Sequence, residues 1–125
     1  MVLDTILFMN EKELRIRYIR VLEKFAKRTI ALLKLSDFDD KRFIARTEKN
    51  LEEMKKAKEV ILTSPYLIAL KNFIDSIIRS LQHHSETFEK ERETLLKEAN
   101  LLQKEKNRNT YKKDKHKNQK FDDGY

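Results

Sequence analysis

The chain has 125 residues, with one Gly, one Pro, no Cys, 39% charged residues and a formal net charge of +7. That length suits a single modest core, and the lack of Cys excludes a disulfide framework, a thiolate nucleophile and Cys-ligated zinc. A composition led by Lys, Glu, Arg and Leu belongs to long helices rather than to sheets with tight turns.

The opening "MVLDTILFM" is apolar. Asp4 stands where a signal peptide needs a basic start, and no small-residue cleavage site follows. "MNEKELRIRY" from Met9 has the form of an ordinary soluble amino terminus, so residues 1–8 can be an upstream extension. No stretch approaches the roughly 20 apolar residues that span a bilayer. The expected compartment is the cytoplasm.

Three helices are expected. The first covers residues 11–34, with Asn10 and Glu13 at capping-box spacing. Its apolar positions, from Leu14 and Tyr18 through Leu22 and Phe25 to Leu33, fill nearly half the circumference at 100° per residue, and Ile16 and Ile19 widen the arc. Such a helix can meet two neighbours, or one neighbour and a partner. The second covers residues 39–62, with Phe43, Thr47, Leu51, Met54 and Ile61 on one narrow face. Arg46, Lys49, Glu52, Glu53 and Lys56 mix signs on the opposite, solvated face. It stops at "TSPY", where Ser64 caps and Pro65 opens the next helix.

The third helix covers residues 65–103. Its seam runs through Leu67, Leu70, Ile74, Ile77, Leu81, His84, Phe88, Glu91, Leu95, Glu98 and Leu102 without a Gly or Pro to interrupt it, and its two polar positions beyond Phe88 leave that half less securely buried. At 1.5 Å per residue it spans roughly 58 Å, against nearer 35 Å for the other two. It therefore projects as an arm, the alternative being a fold-back into a fourth helix. Residues 104–125 carry eight Lys/Arg and four Asp/Glu, so more than half of the net charge sits there. Their sparse apolar content cannot offset the entropy of ordering, and they are expected to be disordered.

"DFDD", residues 37–40, invites a metal reading. A calcium loop begun at Asp37 would place Lys41 and Arg42 at its fifth and sixth positions, where an oxygen ligand and a glycine belong. Helix capping accounts for the cluster: Ser36 or Asp37 accepts orphan N–H bonds, and Asp39 and Asp40 favour the positive end of the helix dipole. His83 and His84 are adjacent, so on a helix they diverge by about 100° and cannot share a metal. His84 is expected to pack on the seam, with His83 in solvent. No catalytic set, metal site or cofactor emerges, and the chain is not expected to be an enzyme.

The locally unusual feature is a basic patch on helix one: Arg17, Arg20, Lys24, Lys27 and Arg28 within about 100° of arc. Like charges so spaced destabilise a helix mildly. The patch is either a plain Lys/Arg-rich surface or a contact for phosphates, an acidic protein or an anionic membrane. The tail lysines with Tyr111, Phe121 and Tyr125 could stack on single-stranded nucleic acid or simply stay solvated.

The segment "ALLKLSDFDDKRFIARTEKNLEEMKKAKEV", residues 31–60, resembles the first helical hairpin of flagellar type III export chaperones of the FliT class, with Phe38 in an aromatic place often held by Trp. The resemblance implies a small bacterial cytoplasmic helical protein that binds a late flagellar substrate, such as the filament cap protein, and delivers it to the export apparatus.

The sequence therefore predicts an all-α fold, an antiparallel three-helix bundle or hairpin with a long projecting third helix and a disordered basic C-terminal tail. The expected function is non-enzymatic binding of a protein partner, through Ile16, Ile19 and Ile30 on helix one and Phe88, Leu95 and Leu102 on the arm. The same residues could join two copies as a homodimer. The rivals are a nucleic-acid accessory protein using the basic patch and tail, and a structural coiled coil.

Overall fold

A computed structural model of the chain describes the backbone of residues 10–122 and the side chains of residues 10–108. Among the described residues all regular structure is helical: α1 (Glu11–Leu33), α2 (Asp40–Lys55), α3 (Pro65–Gln82) and α4 (Glu89–Asp122). The expectations for residues 1–8 and for the tail side chains beyond Arg108, including Tyr111, Phe121 and Tyr125, lie outside the described residues.

Helix starts follow local chemistry. The Asn10 side chain accepts from Glu13 N at 2.8 Å, half of the expected capping box, and the reciprocal bond to the Glu13 carboxylate, at 3.3 Å, comes from the Asn10 side-chain amide rather than its backbone N–H. Asp39 caps α2 by accepting from Arg42 N at 2.9 Å, so the cap lies two or three residues beyond the expected Ser36 or Asp37. Asp37 instead pairs with the Arg42 guanidinium at 3.3 Å. Ser64 Oγ accepts from Leu67 N at 3.2 Å, with Pro65 opening α3.

α1 is central and touches the other three helices, while the largest helix–helix interface joins α3 to α4. Pairings of Lys24 with Glu53 and Arg28 with Asn50, and of Leu33 with Arg92 and Glu23 with Lys106, run α2 and α4 antiparallel to α1. Leu22, Phe25, Phe43, Leu70, Ile74, Ile77, Phe88 and Leu95 make the dry centre.

Four expectations are corrected. The helix expected over residues 39–62 ends at Lys55. Val60, Ile61 and Thr63 are β-branched, and Ser64 is held out of the α region by Pro65. Val60 and Leu62 pack on the core while Ile61 is 87% exposed, the in–out alternation of an extended chain.

The projecting arm is replaced by a fold-back. The chain breaks at residues 83–88, with Phe88 at φ 60°, and α4 returns along α3 and α1. Phe88, Leu95 and Leu102, expected on an exposed arm, are buried. Fully burying three such side chains contributes roughly 5 to 9 kcal/mol in total, against about 1 to 3 kcal/mol for one left-handed non-Gly residue. A break therefore forms without glycine or proline. His84, expected on the seam, leaves it at the break and is exposed, its ring edge against Phe88 at 5.4 Å.

Residues 104–122, expected to be disordered, continue α4. No Gly or Pro interrupts this Lys-, Asn- and Gln-rich stretch before Gly124, and helix propagation is far easier than nucleation. Its first turns are tied down by Lys106–Glu23 at 3.7 Å and by the local pairs Arg108–Glu105 and Gln103–Asn107.

Candidate protein-binding groove

α1 and α2 lie side by side over an open groove. Its two hollows share Arg28 and Asn50, whose side chains meet at 3.5 Å across the trough between them. The floor is apolar, from Val21, Phe25 and Met54 at one end to Ala31, Leu32 and the 38%-exposed Leu35 at the other. The wider hollow encloses about 720 Å³. Six cations edge the trough: Arg17, Lys24, Arg28, Arg46, Lys49 and Lys56. Glu53 is the acid among the lining residues.

Glu53 holds Arg28 at 3.1 Å and Lys24 at 3.6 Å. The hydrogen bond from Arg28, then the charges of Lys24 and Arg28, hold its carboxyl below the ordinary glutamate value. This bridge offsets part of the repulsion within the α1 stripe. Arg17, Arg46, Lys49 and Lys56 make no ion pair with the described residues. Four unneutralised cations along an apolar floor give a surface that favours an acidic, partly apolar ligand.

The basic patch seen in the sequence is thereby divided. Arg17 and Arg28 reach the α1–α2 groove, and Lys24 lines both that groove and the one beyond it. Lys27 instead lines a second groove between α1 and α4, where Tyr66 donates to Glu23 at 2.8 Å and Lys106 pairs with the same carboxylate. Burial and that hydrogen bond push the Tyr66 hydroxyl well above its ordinary pKa. Arg20 is exposed and lines neither groove.

Of the expected partner-binding residues, Ile16 keeps 39% of its surface, Ile19 is half-buried against the core, and Ile30 lines the α1–α4 groove beside buried Leu102. Ile19 and Ile30 pack against the core cluster that holds Phe88, Leu95 and Leu102, so these residues do not make one exposed surface with Ile16. Sequence reasoning missed Arg46, Lys49 and Lys56, because α2 alone shows mixed signs. Only the packing against α1 separates them from Glu52, which is exposed and outside the groove lining.

Among the described residues no three His, Cys, Asp or Glu side chains gather around a possible metal position, and no helix is long and apolar enough to cross a membrane. No protein-family model, curated protein or solved structure matches this chain.

Proposed function

We propose that this chain is a non-enzymatic, cytoplasmic helical adaptor that holds an acidic amphipathic segment of a client protein in the α1–α2 groove. The observation that carries this reading is the pair of adjoining hollows, with six cations and one acid edging their apolar floors. Apolar anchors at three- and four-residue spacing would seat on Val21, Phe25 and Leu35, and carboxylates beside them would meet Arg17, Arg46 and Lys49. The likeness of residues 31–60 to FliT-class export chaperones supports a flagellar substrate as the client. That stretch contributes Leu35, Arg46, Lys49 and Lys56 to the trough.

The same cations would also attract phosphates, which makes nucleic acid the second reading. The apolar floor favours the protein client, since phosphate contacts need no such surface. Fluorescence anisotropy separates them, using a labelled amphipathic helical peptide of Leu and Glu, a poly-Glu peptide and oligo(dT). The Leu/Glu peptide is expected to bind at least about tenfold more tightly than the other two, a gap of about 1.4 kcal/mol. Arg28→Glu with Lys49→Glu should remove most of that affinity. Tighter binding of oligo(dT), with affinity falling linearly against log salt, would overturn the client reading in favour of nucleic acid.

A further inference from the structure

We propose that the extended connector at residues 58–63 is a self-association edge, pairing with the same segment of a second copy across a twofold axis. It is independent of the α1–α2 groove. Three observations converge on it.

The connector has the chemistry of an unpaired strand. Its sequence is "KEVILT", with β-branched residues at three of six positions. Its backbone makes no backbone–backbone hydrogen bond with the described residues; the neighbouring bonds stop at Ala57 and resume with Ile68 donating to Ser64. A row of free N–H and C=O groups is a template for another strand.

The connector also displays apolar surface that the monomer does not cover. Ile61 is 87% exposed and Ile68, one turn into α3, is 45% exposed. They flank a hollow of about 410 Å³ floored by buried Tyr18.

Charge selects the occupant. Glu59 and Lys71 both border this hollow. A patch with an apolar centre, one acid and one cation is complementary to itself: a twofold axis sets Glu59 of each copy against Lys71 of the other. Among the described residues Lys71 otherwise makes one ion pair, a 3.8 Å contact with Asp75 on its own helix. The cationic α1–α2 groove would repel its own copy, so the two surfaces call for different occupants. An acidic client would meet Glu59 here and gain less than it does in the groove.

The contact involves far fewer residues than a standard interface, so the dimer is expected to be weak. Sedimentation equilibrium from about 10 μM to about 1 mM covers the range in which so small an interface would assemble. The mean mass should rise from 15.1 kDa toward twice that value. Ile61→Lys should keep the chain monomeric without changing its helical circular dichroism or its affinity for the Leu/Glu peptide. Glu59→Lys alone, or Lys71→Glu alone, sets like charges face to face and should weaken association about tenfold. Mixing these two variants restores both opposite-charge pairs in a heterodimer, and dimerisation should return. A monomeric mass over the whole range overturns the proposal, as does a dimer indifferent to Ile61→Lys or a mixture of the charge variants that stays monomeric. Each of these results leaves the reading of the α1–α2 groove standing.

Discussion

At φ 60° the Phe88 backbone sits where its Cβ crowds the following carbonyl, a conformation that glycine adopts without strain. What holds it there is the ring, fully buried 5.2 Å from Phe43 and 6.3 Å from Phe38. Phe88→Ala should destabilise the fold by about 3 to 5 kcal/mol. Phe88→Gly should lose about 1 kcal/mol less, because it forfeits the ring but relieves the backbone. Urea unfolding of both variants measures the difference, and equal losses would refute the strain. Beside it, Glu91 receives hydrogen bonds from Ser85 N and Ser85 Oγ, both at 2.7 Å, which fasten the turn. Those two bonds from Ser85 hold the Glu91 carboxyl below its ordinary value. A depressed carboxylate contributes stability that is present above the unfolded-state pKa near 4.5 and is lost as pH falls through the lower folded-state value. The urea midpoint should therefore drop below about pH 4.5, and Glu91→Gln should flatten the part of that drop that comes from this turn.

Among the elements, Arg92 of α4 does what α1 cannot do for itself. The last turn of α1 contains no basic residue, yet its C-terminal carbonyls carry the negative end of the helix dipole. Arg92 Nε donates to Leu33 O at 2.8 Å, a second guanidinium nitrogen donates to Leu35 O at 3.0 Å, and its carbon lies 4.4 Å over the Phe38 ring. Arg92→Ala should cost about 1 to 3 kcal/mol. Arg92→Lys should recover little, since a single ammonium cannot reach both carbonyls while stacking on the ring. Thermal unfolding of the two variants tests this. The element scale also shows what could be read from residues alone. The caps at Asn10 and Ser64 and the apolar stripes of α1 and α3 were legible because their signals span four residues or one helix face. The break at residues 83–88 was not: no residue there is a breaker by itself, and the turn exists because burying Leu95 and Leu102 against α1 and α3 outweighs one strained residue. The end of α2 at Lys55 was half-legible, since the β-branched Val60 and Ile61 precede Pro65 but also fit a helical stripe.

Over the whole molecule, charge is sorted by packing. α2 alone alternates signs, and only its placement beside α1 gathers Arg46, Lys49 and Lys56 with Arg17, Lys24 and Arg28. The groove was therefore visible in the sequence only through its α1 half. The Ile61–Ile68 surface shares no lining residue with that groove and is bordered by one charge of each sign. The two proposals thus fall on different surfaces, while α4 closes the apolar seam that an extended arm would have left open.

The most direct test of the client groove is a nuclear magnetic resonance titration of the isotope-labelled chain with the amphipathic Leu/Glu peptide. Amide shifts should change from Arg17 through the end of α1 to Leu35 and from Arg46 through the end of α2 to Ala57, and leave Val60 to Ile68 in place. Perturbations confined to α3 and α4, or none at saturating peptide, would contradict the account.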